Sequence, residues 1–243
     1  MVWKRQKLRL VPESEAEGEV LEIYQEIKHA LGLPYINPMF QALGAFPEFF
    51  RVFWNVLHPD LDTQEFFSLA QRIAAESYTR VHNYLNVPNL RRRLEELEFS
   101  QGAQEELRDV IDLYLYNNSV LLLIAAALMQ GFENPNAIPR PASGPAEHPS
   151  HHERPILVDE RNAPPETRRI YEDIKKTMGS PFLNTSYINF GRWPDFLREY
   201  WDALKPVMLS PIYEQNRSAI HQSALALAME LPRPLQLSPT QLE

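Results

Sequence analysis

The sequence has no cysteine. That excludes disulfides, thiolate metal ligation, and any cysteine nucleophile or peroxidatic thiol pair. Basic charge is also scarce: 24 Lys and Arg stand against 32 Asp and Glu, a formal net charge of −8 over 243 residues. Binding to nucleic acid needs clustered Lys and Arg to neutralise phosphates, so no nucleic-acid partner is expected. Long hydrophobic runs are missing. The longest, Val120 to Met129, falls short of the roughly 20 residues that span a bilayer, and no membrane partner is expected. The basic start, MVWKRQKLRL, is not followed by the apolar stretch of a secretory signal. Sustained strand alternation is absent as well. What is present, 44% hydrophobic and 23% charged residues, is the composition of a soluble globular protein, with a cytoplasmic location expected.

The chain repeats itself. The fifty residues from Leu10 align without a gap on those from Leu157, at a constant offset of 147 (171 − 24), so that Tyr24 pairs with Tyr171 and Pro47 with Pro194. Gly32, Pro34, Asn37, Gly44, Arg51, Trp54 and Pro59 all recur at that offset. A period this long is not a solenoid, and it predicts two halves in a pseudo-two-fold pair. In the first copy Ser14 and Glu17 have the spacing of a capping box. Val20, Ile23, Tyr24, Ile27 and Leu31 follow at helical spacing, and Gly32 and Pro34 stop the helix. After an irregular segment, Pro47 opens a second helix with an aromatic face, Phe49, Phe50, Phe53 and Trp54, which Phe196, Tyr200 and Trp201 repeat. Further helical patterns cover about 64–84, 88–97 and, as one helix or two, 104–132. The fold class is therefore all-α: two tandem helical repeats, the second truncated.

The expected organisation is a first repeat with extra helices over 1–133, a Pro-rich linker over 134–156, a second repeat over 157–231 and a C-terminal tail over 232–243. The linker holds His148, His151 and His152. Nothing in it fixes imidazoles in a coordination geometry, so no metal is expected.

The duplicated order of helix, P-[YF]-[IL]-N, irregular segment, [FW]-P and aromatic helix resembles the group I 2-haloacid dehalogenases, as do VPNLRRRLEELEF and YNNSVLLLIAAAL. The likeness covers most of residues 9–205. It implies an all-helical enzyme of two repeats that hydrolyses the carbon–halogen bond of short 2-haloalkanoic acids of either hand, in a pocket between the repeats. In that family an Asp a few residues before the second W-P activates a water, which displaces halide directly; no metal or organic cofactor takes part. Counted back from Trp193-Pro194, the position of that Asp is Ser186, and the Ser before it is Thr185. Asn117 matches a pocket-lining Asn, and Tyr35 matches an aromatic pocket residue. Ser186 departs from the pattern, because a carboxylate with a pKa near 4 is an ionised base at neutral pH and a serine hydroxyl is not.

The residues themselves allow milder roles. Asn37 and Asn184 recur at one place in both copies, where Asn serves a turn, with ligand contact as the second role. Thr185, Ser186 and Tyr187 can hydrogen-bond a small carboxylate. Asp195, the acid nearest in sequence, begins the next helix and is expected to face solvent. Two readings of function follow. One is a haloacid hydrolase whose base is not Ser186. The other is a non-catalytic module that binds a small carboxylic acid or a protein partner, with a homodimer covering the truncated half.

Overall fold

The computed structural model describes residues 9–134, 138–142, 144 and 155–236. Among them are ten α-helices: α1 (Gly18–Leu31), α2 (Pro38–Leu43), α3 (Pro47–Leu61), α4 (Gln64–Tyr84), α5 (Arg91–Glu96), α6 (Gln101–Glu133), α7 (Pro165–Met178), α8 (Thr185–Phe190), α9 (Pro194–Met208) and α10 (Pro211–Ala228). The described residues contain no strand, and the fold is all-α. The linker histidines lie outside the described residues.

The chain divides into two compact units, each drawn from separate stretches of sequence. One takes residues 1–69, 124–154 and 227–243; the other takes 70–123 and 155–226. In the first unit α1 packs along α3. Their apolar faces meet through Tyr24, Phe50 and Phe53, with Tyr24 and Phe50 rings 5.9 Å apart edge to face. In the second unit α7 packs along α9, and Tyr171, Leu197 and Tyr200 occupy the corresponding places.

The helix bounds repeat at the sequence offset: α1 maps onto α7, α2 onto α8 and α3 onto α9, end for end. The local chemistry repeats too. Gly32 and Gly179 end their helices in the left-handed region, at φ 60° and 62°, which favours glycine. Asn37 and Asn184 cap α2 and α8, each side chain accepting a hydrogen bond from the backbone N–H two residues on. Trp54 donates to Glu26 at 2.5 Å, and Trp201 donates to Asp173 at 2.7 Å. Lys28 pairs with Glu13, and Lys175 with Glu160.

One local expectation changes, and others gain detail. Ser14 lies in a 3-10 turn, Glu13–Glu15, and α1 is preceded by Glu17 with no side-chain cap, so the predicted capping box does not form. The stretch over 104–132 is one helix, α6. Pro59 and Pro206 lie inside α3 and α9, near their ends. Leu231, the last residue of the expected second repeat, and Leu235, in the expected tail, are buried, and the Arg233 backbone N–H donates to Asp60. α6 is the one described helix long and apolar enough to cross a membrane, and half of its apolar window is buried within the protein.

Candidate functional site

The predicted site residues gather mainly at the start of α8. Asn184 Oδ1 accepts from the Ser186 backbone N–H at 3.2 Å and from the Ser186 hydroxyl at 3.3 Å. Thr185 is buried, and its carbonyl accepts from the Tyr114 hydroxyl of α6 at 3.3 Å. One helical turn along α6, Asn117 is fully buried. This turn is thus held on two sides, by its own Asn cap and by a tyrosine from a distant helix, with the Ser186 side chain half-exposed.

Tyr187 belongs to the core of the second unit. Its ring meets Trp201 edge to face at 6.1 Å and lies 6.3 Å from Tyr200. Burial pushes the Tyr187 phenol well above its ordinary value, with Tyr200 and Tyr213 nearby adding to the rise. It raises Tyr200 to about 12 as well. Both phenols are therefore neutral hydrogen-bonding groups at neutral pH, not bases. Tyr35 lies in the first unit, buried in the segment between α1 and α2. Asp195 is exposed, with Arg198 against its carboxylate at 2.5 Å.

Sequence reasoning missed a second feature of the same unit. A cavity of about 310 Å³ is lined by Arg80, Val81 and Leu85 of α4 and its end, Leu122 of α6, and Tyr213, Asn216, Arg217, Ile220 and His221 of α10. No carboxylate lines it. Arg80 is held from outside: its Nε donates to Glu76 at 2.7 Å, and Glu76 also accepts from Ser223. Burial lifts the Glu76 carboxyl, but these bonds from Ser223 and Arg80 outweigh it and leave the group below the ordinary carboxylate range. Arg217 is held by Glu214 through two bonds, at 2.6 and 2.8 Å. Glu76 and Ser223 are themselves 147 residues apart, so two equivalent positions of the duplication touch. The signal for the cavity was present in the repeat. Phe66, Leu69, Ala70 and Ile73 form a buried stripe of α4, and at the same offset α10 carries Tyr213, Asn216, Arg217 and Ile220. In α10 only Asn216 of these four is buried and Arg217 is exposed, so this stripe is open where that of α4 is shut.

Among the described residues no group of His, Asp or Glu is arranged to hold a metal ion.

Known proteins share this architecture. The profile of the family described as Halocarboxylic acid dehydrogenase DehI matches residues 34–187. The chain is 30% identical over 240 residues to an (R)-2-haloacid dehalogenase of Pseudomonas putida, covering 95% of this chain and 79% of that one. It is 28% identical over 233 residues to an (R)-2-haloacid dehalogenase of Rhizobium sp. (strain NHG3), covering 95% and 90%. A solved complex of a D-2-haloacid dehalogenase mutant with D-2-CPA superposes with a TM-score of 0.88 at 29% identity, over 98% of this chain and 87% of that one.

Proposed function

The chain belongs to the Halocarboxylic acid dehydrogenase DehI family, and on that premise we propose that it takes short 2-haloalkanoic acids at the start of α8, with Ser186 limiting their hydrolysis. The observation that carries this reading is the doubly held turn: the Asn184 cap and the Tyr114 hydroxyl fix Thr185 and Ser186 in place. Such a preset wall suits a small ligand, because little ordering cost remains to be met on binding. In this reading the Thr185 and Ser186 hydroxyls, with Asn117, Asn184 and Tyr187 of the same unit, are the polar and aromatic groups available to the acid.

The chemistry requires a base. In hydrolytic dehalogenation a water oxygen attacks the α-carbon, the carbon–halogen bond breaks, halide leaves with the bonding pair, and the water's proton passes to a general base. A carboxylate can accept that proton at neutral pH. The Ser186 hydroxyl can orient the water but is itself neutral. Asp195 is engaged by Arg198 on the exposed side and supplies no base to the turn. Relatives named (R)-2-haloacid dehalogenases make the substrate class the natural one to try.

The test is halide release from each enantiomer of 2-chloropropionate by wild type, Ser186→Asp and Ser186→Ala. Restoring a carboxylate should raise the rate by at least about 100-fold, the usual contribution of a positioned base. Wild type and Ser186→Ala should differ little. If wild type releases halide as fast as Ser186→Asp, another group is the base and the assignment to Ser186 fails. If Ser186→Asp remains as slow as Ser186→Ala, the turn is not the reacting site.

A further inference from the structure

We propose that the cavity between α4, α6 and α10 is a binding site for a monocarboxylate carrying an aliphatic tail, lined by none of the residues of the turn at Ser186. The class of ligand follows from the lining. Val81, Leu85, Leu122 and Ile220 offer an apolar wall, while Arg80 and Tyr213 bring hydrogen-bond donors to the same space. No carboxylate lines the cavity, so an anion meets no direct repulsion there. Its volume, about 310 Å³, is at the lower end of small-molecule sites and too large for a bare inorganic ion to fill.

The charge balance favours one negative charge rather than two. Each guanidinium is already matched outside the cavity, Arg80 by Glu76 and Arg217 by Glu214. What enters therefore meets donors more than uncompensated charge. Arg80 uses its Nε on Glu76, and its Nη1 lies 3.5 Å from Asn216 Oδ1, too long for a strong bond. The terminal edge of the guanidinium thus retains the paired N–H donors that match a carboxylate. Asn216 is held in turn, its amide donating to the Ile212 carbonyl at 2.8 Å, so the polar end of the cavity is set before a ligand arrives.

The first repeat shows what a helix of this kind does when no ligand is involved. There the stripe Phe66, Leu69, Ala70 and Ile73 is packed shut. The second copy keeps Ile220 of that stripe and places Tyr213, Asn216 and Arg217 at the others. Polar groups in a packed stripe cost stability unless they are satisfied, and here they border open space. A ligand with an anionic head and a hydrocarbon tail matches both halves of the lining.

The experiment is titration calorimetry on the full chain with propionate, hexanoate, hexylamine and 1-hexanol, at low salt. Each buried methylene adds roughly fourfold in affinity, so hexanoate should bind at least about tenfold tighter than propionate. Hexylamine should not bind, and 1-hexanol should bind at least about tenfold more weakly than hexanoate. Arg80→Met should weaken hexanoate by about tenfold or more. Ile220→Trp, which fills the cavity and leaves the Arg80–Glu76 pair alone, should do the same, and it carries the test if Arg80→Met does not fold. Equal affinity for propionate and hexanoate overturns the proposal, as does hexanoate binding unchanged by Ile220→Trp. Halide release by Ser186→Asp reads the turn and not the cavity, so the two readings fail separately.

Discussion

The two copies of the repeat share a frame and differ in what the frame presents. Both hook a tyrosine hydroxyl onto the segment before the first helix of the copy: Tyr24 donates to the Val11 carbonyl at 2.9 Å, and Tyr171 donates to the Val158 carbonyl at 3.3 Å. Both set a glycine, Gly44 or Gly191, beneath that hydroxyl, and both cap the short helix with Asn. Between these fixed points the copies part. The first turn of α2 reads Pro38, Met39, Phe40, whereas that of α8 reads Thr185, Ser186, Tyr187. α4 has an apolar stripe where α10 has a polar one, and the buried Asp60 of α3 has Val207 as its equivalent in α9. Positions that repeat hold the chain in shape. Those that break the repeat while staying inside it are the candidates for chemistry.

The largest expected effect breaks the shared part of the frame. A Cβ on Gly191 would run into the Tyr171 hydroxyl and come 3.2 Å from the Ile188 carbonyl oxygen. A Cβ on Gly44 would lie 2.5 Å from the Tyr24 hydroxyl with no backbone atom so near. Tyr24 and Tyr171 are fully buried, so neither ring can swing clear. Gly191→Ala should cost about 3 kcal/mol and Gly44→Ala about 2 kcal/mol in urea unfolding, values typical of overpacking. Equal and negligible costs would mean that the hook is loose.

The next effect is smaller and depends on pH. Asp60 is fully buried, and burial raises its carboxyl to about 7; the Arg233 backbone N–H opposes the rise, and the Glu65 carboxylate adds to it. The folded state therefore holds a proton between about pH 4 and 7 that the unfolded state has released. Stability is lost as pH rises through that window, because the unfolded state binds fewer protons there. Asp60→Asn fixes the neutral form and keeps an oxygen for the Arg233 N–H. Asp60 Oδ2 has no hydrogen-bond partner, so the new amide is left with donors to place, which trims the gain. The variant should match wild type near pH 4 and exceed it by about 2 kcal/mol at pH 8, read from thermal unfolding across that range. A gain that is the same at both pH values would place the titration elsewhere.

Most of the frame was legible in the sequence because the duplication states it twice. The glycine stops of α1 and α7 and the aromatic faces of α3 and α9 follow from spacing alone. The capping box at Ser14 was not, because its spacing is local and the packing that draws Glu13 towards Lys28 competes with it. The single helix α6 was ambiguous for a related reason: its start is polar, its end is apolar, and one periodicity does not cover both. At the candidate site, the turn role of Asn184 was legible from the repeat. The Tyr114 bond to Thr185 joins residues 71 apart, and no spacing rule reaches that far. The cavity escaped because its lining comes from α4, α6 and α10, which are far apart in sequence and joined by no local spacing rule.

The smallest effect sharpens the comparison most. Tyr24→Phe and Tyr171→Phe each remove a buried hydroxyl that reaches two carbonyls, Val11 and Phe40 in one copy, Val158 and Ile188 in the other. Each should cost about 1 kcal/mol, with Tyr24→Phe the dearer because its bond to Val11 is the shortest of the four. The single variants alone would say only that a hydrogen bond is lost. Combined with alanine at the glycine they say more, since Phe leaves room where the hydroxyl met the new Cβ. In a double-mutant cycle, Tyr171→Phe with Gly191→Ala should be less destabilised than the sum of its parts by about 1 kcal/mol. The pair Tyr24→Phe with Gly44→Ala should show a smaller coupling of the same sign, because its clash is milder. Strict additivity in both copies would separate the hook from the glycine and leave the repeated Tyr and Gly as independent features of the two repeats.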